Sequence, residues 1–352
     1  MGKLAVNKFF SFMFLIITVL LSIFTFFGLF GGSANPKYHT AMAMLVYLLP
    51  FLVGGNLFIL IYWLIRRRWH WAIIPAVTLL CCIPYIGTLY QTGWFQSGEA
   101  SKSGFKIATY NVALFGREIS GFKAEDILAE MKRQNVEILC MQEYAAKSGD
   151  KDNTQSYKGY FPHFAMGHSD MVIFSRHPIM NHGTIEFGDF TNNSAMWADI
   201  DVNGTMIRVF SVHLETTGFN RTLYRAAKME MQGNRIEDNK ILKALFGNYT
   251  LGMIARAGQA DIVAREIKQS KYPVILCGDF NDVPYSYTYN TMKGDLVDGF
   301  KECGKGRMFT MRGKKQVRID YIFHDELLSG EHYYKMDISY SDHYPVFMKI
   351  VP

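Results

Sequence analysis

Acidic, amide and imidazole side chains recur in this sequence where short apolar runs end. The clearest case is the segment Cys277–Pro284, in which Asp279 and Asn281 alternate with Phe280 directly after the apolar run 274–276. Alternate residues of a strand point to the same face, so this spacing places Asp279 and Asn281 together. Such a pair could position a water molecule or a phosphoryl oxygen, although an Asx-type turn closing the strand would explain this segment alone equally well.

Seven other polar residues occupy comparable positions beside predicted strands. They are Asn111, Glu143, Asp170, His213, Asp320, Asp342 and His343. Each has an ordinary structural explanation, as a turn asparagine, a strand-end carboxylate or a capped histidine. Strand ends without a shared role would not favour these residue types so consistently, and carboxylate and amide oxygens are ligands suited to Mg²⁺. The set therefore indicates a metal-assisted phosphoryl site.

The elements that must position these residues alternate between strands and helices. Strand-like apolar runs are predicted at 106–110, 136–141, 171–174, 196–202, 206–213, 274–276, 319–323 and 344–350. Helices are predicted at Ala124–Arg133, which is amphipathic, at Leu223–Leu245 and at Gly252–Gln269. So many short strands with intervening helices favour two packed sheets with helices outside, in the α/β (α+β) class.

The N-terminal part of the chain is almost free of acidic residues and contains three long apolar runs. Transmembrane helices are predicted at about residues 9–30, 41–65 and 69–90, because about 20 apolar residues span a hydrocarbon core of about 30 Å. Pro75 and Pro84 interrupt the third run, but neighbouring helices can satisfy the backbone groups that proline frees. A cleaved signal peptide is the alternative for the first run, and its length and the two runs that follow argue against cleavage.

Cations flank these apolar runs asymmetrically. Lys3 and Lys8 precede the first run and Arg66–Arg68 follow the second, whereas the loop between the two runs offers only Lys37. The positive-inside bias then puts the N-terminus in the cytoplasm. Three spans would place everything after Tyr90 on the far side, so the chain is predicted to be an integral membrane protein with an extracytoplasmic domain.

The predicted organisation is a membrane anchor at residues 1–93, a Ser- and Gly-rich linker at 94–103 and a catalytic domain at 104–352. Only seven of the 37 Lys and Arg, and one of the 31 Asp and Glu, precede Phe105. The net charge of +6 therefore belongs to the membrane part and its flanks, and the following domain is neutral. A neutral domain lacks the general attraction to phosphate backbones on which nonspecific nucleic-acid binding depends.

One segment of that domain, Lys305–Arg318, is strongly basic. It contains six cations and no acid: Lys305, Arg307, Arg312, Lys314, Lys315 and Arg318. The segment is either a solvated hairpin or a surface that holds an anionic substrate, since it leads directly into Asp320.

The five cysteines do not indicate a disulfide framework. Cys81 and Cys82 lie in the third apolar run, while Cys140 and Cys277 lie in strand-like runs where free cysteine behaves as a small apolar residue. A bridge between Cys140 and Cys277 would require adjacent strands, and the sequence leaves that pairing open.

Seven segments of the chain together resemble the endonuclease/exonuclease/phosphatase superfamily, which includes DNase I, exonuclease III-like repair nucleases, inositol polyphosphate phosphatases and neutral sphingomyelinases. The matching segments are Thr109–Asn111, Met141–Glu143, Phe174–Ile179, Ser211–Leu214, Gly278–Asn281, Arg318–Ile322 and Ser341–Val346. They follow the family's order from about residue 104 to 352, and the apolar N-terminal part has no share in the match. The resemblance implies a DNase I-like four-layered β-sandwich flanked by helices, here preceded by three transmembrane helices.

The resemblance also implies a metal site and a phosphate-binding histidine. Glu143 would be the principal ligand of Mg²⁺ or Mn²⁺, with Asn111 and Asp342 completing an oxygen-rich shell. His343 would face the phosphate as base or charge stabiliser and would be oriented by Asp320, because a carboxylate fixes the tautomer of its imidazole partner.

Further roles follow from the same resemblance. Asp279 would align or deprotonate the attacking water, and Asn281 would hold the phosphate. His213 is typical of the DNase I-like and sphingomyelinase-like branches, with Asp170 as its partner. The repair-nuclease branch has a different arrangement, and the signatures of inositol phosphatases have no clear match.

The resulting prediction is a membrane-anchored, divalent-metal-dependent phosphodiesterase that hydrolyses a phosphodiester in nucleic acid or in a phospholipid headgroup. Its other partner would be the lipid bilayer. A noncatalytic binding or sensing module on the same scaffold, and a phosphomonoesterase acting on inositol phosphates, are the alternatives. Transport is disfavoured because the three predicted spans contain no acid and no lysine.

Overall fold

The computed structural model describes residues 3–93, 103–116, 124–144, 147–148, 151–168, 170–188, 191, 193–217, 238–313, 316–338 and 340–352. The chain forms two compact units, residues 1–88 with 284–290 and residues 89–283 with 291–352. Apart from Ser103, the predicted linker at 94–103 lies outside the described residues.

The first unit is helical. Its helices are Lys3–Gly31, Pro36–Met44, Leu49–Ile65, Trp69–Cys81 and Ile83–Ile86, with a 3₁₀ turn at Leu45–Leu48. Two stretches, Lys8–Gly31 and Pro36–Ile65, are long and apolar enough to cross a bilayer by length and composition. Large apolar side chains such as Phe51 are exposed along them.

Polar side chains join these apolar helices on the inside of the first unit. The Asn56 amide is buried and donates to Thr25 Oγ1 (2.8 Å). The Trp63 indole donates to Thr18 Oγ1 (2.9 Å). Such contacts hold helices together where no water competes for the polar groups.

The predicted third transmembrane segment at 69–90 is not one continuous helix. The helix Trp69–Cys81 has 13 residues, about 20 Å at the rise of an α-helix, against a hydrocarbon core of about 30 Å. A turn at Cys82 separates it from the four-residue helix Ile83–Ile86, because Pro84 has no N–H and its ring clashes with the preceding turn. Among the described residues, two helical stretches are therefore long and apolar enough to span a bilayer, and the segment 69–90 is interrupted.

The second unit contains two six-stranded sheets and two small ribbons. In chain order its strands are β1 Tyr90–Gln91, β2 Phe105–Asn111, β3 Ile138–Gln142, β4 Lys147–Ser148, β5 Lys151–Asp152, β6 His163–Met166, β7 Val172–Ser175, β8 Ile179–Glu186, β9 Ser194–Val202, β10 Thr205–His213, β11 Val274–Asp279, β12 Val297–Asp298, β13 Gly306–Arg307, β14 Asp320–His324, β15 Ser329–Lys335 and β16 Val346–Val351. The first sheet has the order β15-β16-β2-β3-β7-β6, and the second has the order β12-β14-β11-β10-β9-β8.

Each sheet has one parallel pair near its centre, β2 with β3 in the first sheet and β10 with β11 in the second. The other neighbours are antiparallel. Parallel strands end at the same edge, so each pair delivers two strand ends side by side. The predicted architecture of two sheets flanked by helices in a mixed α/β fold is confirmed.

The main apolar core lies between the two sheets. Alternate residues along the strands face it. Ile107 and Cys140 of the first sheet pack with Ile275 and Cys277 of the second in one apolar cluster. The intervening residues, such as Leu139, face outward onto a second cluster that includes the helix Ala124–Arg133. This is the period of two expected for strands buried on both faces. Both Cys140 and Cys277 are free thiols.

The remaining helices are Ala113–Gly116, Asn153–Lys158, Asp238–Lys268, Tyr287–Lys293 and Gly299–Cys303. The prediction of a helix at Leu223–Leu245 falls largely outside the described residues, and the predicted break before Gly252 is absent from the described chain. Asp238–Lys268 is one helix because a glycine inside a helix costs only about 1 kcal/mol relative to alanine. Packing of Ala257, Ala260 and Val263 in the buried interior outweighs that cost.

Candidate active site

The ends of the parallel strand pairs carry the polar residues that the sequence singled out. Asn111 ends β2 beside Gln142, which ends β3 and is followed by Glu143. In the second sheet, His213 on β10 lies opposite Asp279 on β11. Asp279 in turn lies opposite Asp320 on β14. Topology therefore brings residues that are up to about 200 positions apart in the chain to neighbouring strand ends.

The Asn111 side chain links the polar ends of the two sheets. Its Nδ2 donates to Glu143 Oε1 and to Asp279 Oδ2, both at 3.0 Å. Its Oδ1 accepts from the backbone N–H of Ala113 at 3.1 Å, which fixes the orientation of the amide. Asn111 and Asp279 are buried, whereas the Glu143 side chain is 35% exposed. One amide thus holds a buried carboxylate and an open carboxylate within reach of each other.

Asn281 lies in an Asx turn, which the sequence allowed as the alternative to a role in the site. Its backbone N–H donates to Asp279 Oδ1 (2.8 Å), and its Nδ2 donates to Leu214 O (2.9 Å). Its φ is 51°, a left-handed conformation that asparagine tolerates better than most residues. The Asx turn and the position beside Asp279 are therefore features of the same segment.

His343 and Asp320 form a close buried pair. His343 Nδ1 lies 3.0 Å from Asp320 Oδ2, and His343 Nε2 lies 3.7 Å from Asp279 Oδ2. Ser341 holds the loop, because its hydroxyl donates to Asn111 O (2.7 Å) and accepts from the His343 backbone N–H (3.1 Å). Burial lowers the pKa of His343, but the charges of Asp320 and Asp279 outweigh it and raise that pKa to about 10.

The pKa of the Asp279 carboxyl lies above the ordinary value of an aspartate. Burial raises its pKa, and the neighbouring Asp320 raises it further, while His343 and His213 lower it; the net shift is upward. A buried carboxyl with a raised pKa is suited to accepting a proton, which is the property expected of a general base.

His213 and Asp170 form a second, looser pair. His213 Nδ1 lies 3.5 Å from Asp170 Oδ2, and His213 Nε2 lies 3.7 Å from Glu143 Oε1. Burial lowers the pKa of His213, but the nearby carboxylates of Asp170 and Asp279 raise it overall. The backbone carbonyl of Asp170 accepts from Tyr144 N–H (2.7 Å), which ties this pair to the loop after Glu143.

Asp342 is the predicted site residue that stands apart. It is exposed, and its Oδ1 accepts a long hydrogen bond from Ser341 Oγ (3.4 Å). Within the described part of the chain, no hydrogen bond or ion pair joins its carboxylate to Asn111 or Glu143.

The donor set fits a divalent cation. Asp279, Asp320 and His343 offer ligand atoms within 4.8 Å of one another, and all three are buried. Glu143 adds a partly exposed carboxylate on the other side of Asn111. Several carboxylates at such short range repel one another unless a cation or a protonated imidazole lies among them. The buried cluster therefore offers donor atoms that could hold a divalent cation.

Sequence reasoning missed a buried polar layer beneath the strand ends. Gln142 Nε2 donates to Ser211 Oγ (3.0 Å) in the second sheet and to Thr109 Oγ1 (3.1 Å) in the first. All three side chains are buried. The signal available in the sequence was an uncharged polar residue at or near the end of each of these three strands.

Two buried arginines were also missed. Arg318 pairs with Asp298, and neither side chain is exposed. Arg256 on the helix Asp238–Lys268 donates to Asp282 Oδ2 (3.3 Å) and to Glu215 O (2.9 Å). These arginines hold the segments that flank Asp320 and Asp279.

Comparisons with known proteins agree with this architecture. The model of the Endonuclease/Exonuclease/phosphatase family matches residues 108–343. A domain of unknown function, DUF8431, matches residues 7–89. A comparison with curated protein sequences finds no match.

Several solved structures share the fold of the second unit. The chain is similar to Bacteroides thetaiotaomicron mannosyl-6-phosphatase, with 16% identity over 70% of this chain and 100% of that one and a TM-score of 0.50. It is also similar to an endonuclease/exonuclease/phosphatase from Bacteroides vulgatus (15% identity, 71% and 99% coverage, TM-score 0.52). A humanized D. rerio TDP2 carrying 14 mutations gives 15% identity, 70% and 99% coverage and a TM-score of 0.50. At these identities the likeness concerns the fold.

Proposed function

Because the chain belongs to the endonuclease/exonuclease/phosphatase family, whose members hydrolyse phosphate esters, we propose that it is a membrane-anchored, divalent-metal-dependent phosphodiesterase. The observation that carries the proposal is the Asn111 amide, which holds Glu143 and Asp279 together between two histidine–aspartate pairs. That arrangement offers a cation ligand, a base and two imidazoles around one small volume. A binding module has no need of the complete set.

Glu143, Asn111 and Asp342 would hold Mg²⁺ or Mn²⁺. For Asn111 this requires the amide oxygen to face Glu143, in place of the Nδ2 that faces it here. When bound, the cation would offset charge on a nonbridging phosphate oxygen and on the leaving group.

The chain's own residues would divide the proton transfers. Asp279, with its raised pKa, would take a proton from the attacking water as the water oxygen bonds to phosphorus. As the bond to the leaving ester oxygen breaks, His213, held by Asp170, would give that oxygen a proton. His343, held by Asp320 and close to Asp279, would place positive charge against the phosphate, and Asn281 would orient it.

The first unit would anchor the enzyme in a bilayer. Its two helices of spanning length support this, as does the apolar surface they expose. The broken segment 69–90 also exposes apolar side chains, including Trp69, Ile73, Leu80 and Ile83. We propose that it completes a third crossing and leaves the catalytic unit outside the cytoplasm. A reporter fused at Ser101 should then be active only outside the cytoplasm, and a cytoplasmic signal would refute this topology.

The substrate proposed is the phosphodiester of a phospholipid headgroup. Anchoring favours a lipid, and the neutral charge of residues 105–352 gives no general attraction to a nucleic-acid backbone. The test uses the full-length chain in detergent with Mg²⁺ and a panel of bis(p-nitrophenyl) phosphate, phospholipid micelles, DNA, RNA and inositol phosphates. Hydrolysis of the diesters that stops with EDTA is expected. Activity indifferent to the chelator would exclude the metal, cleavage of monoesters alone would exclude a phosphodiesterase, and preference for DNA or RNA would exclude the lipid.

A further inference from the structure

Three cations gather around two aromatic rings beside the loop that carries His343. We call this group the Lys335 cluster; its members are Arg307, Phe309, Arg312, Lys335 and Tyr344. Lys335 Nζ lies 3.5 Å from the centroid of the Phe309 ring and 3.6 Å from that of Tyr344. The Arg312 guanidinium lies 3.9 Å from the Tyr344 centroid, and that of Arg307 lies 5.6 Å from the Phe309 centroid.

The cations of this cluster keep unused hydrogen-bond donors. Ring faces attract an ammonium group but accept its hydrogen bonds only weakly. Among the described residues, no carboxylate or carbonyl is hydrogen-bonded to Lys335 Nζ. The two terminal nitrogens of Arg312 donate to Asp337 Oδ1 (2.7 Å) and to Ile338 O, whereas its buried Nε has no hydrogen-bond partner in the described chain. Buried or half-buried N–H groups without acceptors are costly, and an anion would satisfy them.

The charge balance of the cluster is positive. The acid that contacts it is Asp337, which pairs with Arg312 at 2.7 Å and whose side chain is 78% exposed. An ion pair so open to water is screened and offsets little of the local positive charge. Burial lowers the pKa of Lys335 and the nearby Arg312 lowers it further, while Asp337 raises it; the net shift is downward. An added anion would therefore relieve repulsion between the two cations.

Backbone hydrogen bonds connect the cluster directly to the candidate active site. Arg312 N–H donates to Asp342 O (2.8 Å), and Tyr344 N–H donates to Thr310 O (2.7 Å). Met311 forms an antiparallel bridge with His343 between these two bonds. The segments 310–312 and 342–344 therefore form one ribbon, on which Tyr344 directly follows His343.

Building on the proposed phosphodiesterase, we infer that the Lys335 cluster is a subsite for a second anionic group, a phosphate, carried by the substrate beside the phosphodiester that is cleaved. Lys335 and Arg312 would bind that phosphate through charge-assisted hydrogen bonds, and Arg307 would add long-range attraction. The substrate class is thus narrowed to phosphodiesters with a neighbouring phosphate.

The test compares pairs of substrates that differ by one phosphate, using the full-length chain in detergent with Mg²⁺. One pair is the p-nitrophenyl ester of thymidine 5′-phosphate with and without a 3′-phosphate. The other is phosphatidylglycerol phosphate and phosphatidylglycerol in mixed micelles, with cleavage of the phosphodiester measured. The phosphorylated member of at least one pair is expected to have a kcat/KM about tenfold higher, which corresponds to about 1.4 kcal/mol. The pair that shows the preference identifies a nucleotide or a lipid as the source of the phosphate.

Variants assign that preference to the cluster. Lys335→Gln should bring the ratio of the two kcat/KM values close to one, and Lys335→Arg should retain it. Arg307→Gln, at an exposed position that does not endanger folding, should reduce the ratio by about threefold, the smaller effect of a screened charge. The matched control is Lys349→Gln, since Lys349 already pairs with Glu331 at 3.0 Å, and it should leave the ratio unchanged.

The outcomes separate the subsite from the proposed function. Equal hydrolysis of both members of each pair by the wild-type chain would overturn the subsite and leave the phosphodiesterase intact. A preference that Lys335→Gln and Arg307→Gln both retain would also overturn it. Absence of hydrolysis of every diester would overturn the proposed function and the subsite with it.

Discussion

The two histidine–aspartate pairs of the candidate active site are chemically alike but lie in different surroundings. Asp320 is 2% exposed and holds His343 at 3.0 Å, whereas Asp170 is 22% exposed and lies 3.5 Å from His213. His343 Nε2 lies 3.7 Å from the buried Asp279, whereas His213 Nε2 lies 3.7 Å from the partly exposed Glu143. Burial strengthens the interaction of a charge with its neighbours, so the tighter pair holds its histidine more firmly in the cationic form. The difference agrees with the proposed roles, in which His343 stabilises phosphate charge and His213 releases a proton.

The largest loss of activity is expected from substitution of Asp279, whose charge acts on the histidines of both pairs. Asp279→Asn keeps the size of the side chain but removes the proton acceptor and the negative charge that acts on both histidines. We expect kcat with bis(p-nitrophenyl) phosphate to fall by about 10³-fold or more, within the range of general acid–base catalysis. Asp295→Asn, at an exposed position, is the control and should be silent. Comparable losses in both variants would show that the charge of Asp279 has no special part.

The comparison itself is tested by removing the partner acid from each pair. Asp320→Asn should lower kcat by about 10²-fold and Asp170→Asn by about tenfold, because the buried partner restrains its histidine more strongly. The pH–rate profile adds a second measurement. Asp320→Asn removes the acid that raises the pKa of His343, so activity should be lost at a lower alkaline pH than in the wild type. Equal losses in the two variants would contradict the distinction between the pairs.

A smaller loss of activity is expected from substitution of the partly exposed Glu143. Glu143→Gln retains a hydrogen-bonding oxygen but lowers the charge of the proposed cation site. The Mg²⁺ concentration for half-maximal activity should rise by about 10- to 100-fold, with partial recovery at high Mg²⁺. The same titration on Glu326→Gln, at an exposed position, serves as the control. An unchanged Mg²⁺ dependence in Glu143→Gln would place the cation elsewhere.

The smallest effect, a change in stability alone, is expected for a histidine–carboxylate pair outside the site. His324 Nε2 lies 2.7 Å from Glu302 Oε2. Burial lowers the pKa of His324, but the Glu302 hydrogen bond and the Asp325 carbonyl raise it overall. The stabilisation is therefore complete below the unfolded pKa of about 6.5 and is lost as pH rises through the higher folded value.

Glu302→Gln should remove that pH-dependent stabilisation without affecting catalysis. We expect Tm at pH 6 to fall by about 2–4 °C, the shift for about 1 kcal/mol in a domain of this size, and by less at alkaline pH. Thermal unfolding at both pH values measures it, and kcat should be unchanged. A decrease in kcat without a change in Tm would mean that this pair belongs to the catalytic machinery.

The sequence allowed the strand ends to be predicted because their signals are local. A short, largely apolar run followed by a polar residue identifies β2 and Asn111, or β11 and Asp279, without knowledge of the partner strand. The helix Ala124–Arg133 was predicted with its observed bounds because its apolar residues lie on one face. Acids in its first turn and bases in its last also complement the helix dipole.

Features that depend on contacts between distant parts of the chain could not be predicted from such local signals. The Asn111–Asp279 hydrogen bond joins residues 168 positions apart, and nothing in either segment indicates the other. The continuity of the helix Asp238–Lys268 depends on packing that outweighs its glycines. The sequence showed both prolines of the third apolar run but not their different effects, since Pro75 lies inside the helix Trp69–Cys81 whereas the helix ends before Pro84.

The polar layer of Thr109, Gln142 and Ser211 has a consequence for how the two sheets are aligned. Apolar faces can pack at several offsets with similar energies, but these hydrogen bonds form at only one. That offset is the one at which Asn111 reaches Asp279. The interior of the sandwich therefore sets the spacing of the reactive groups at its edge, and a conservative change such as Ser211→Ala would relax the catalytic geometry while leaving the apolar packing in place.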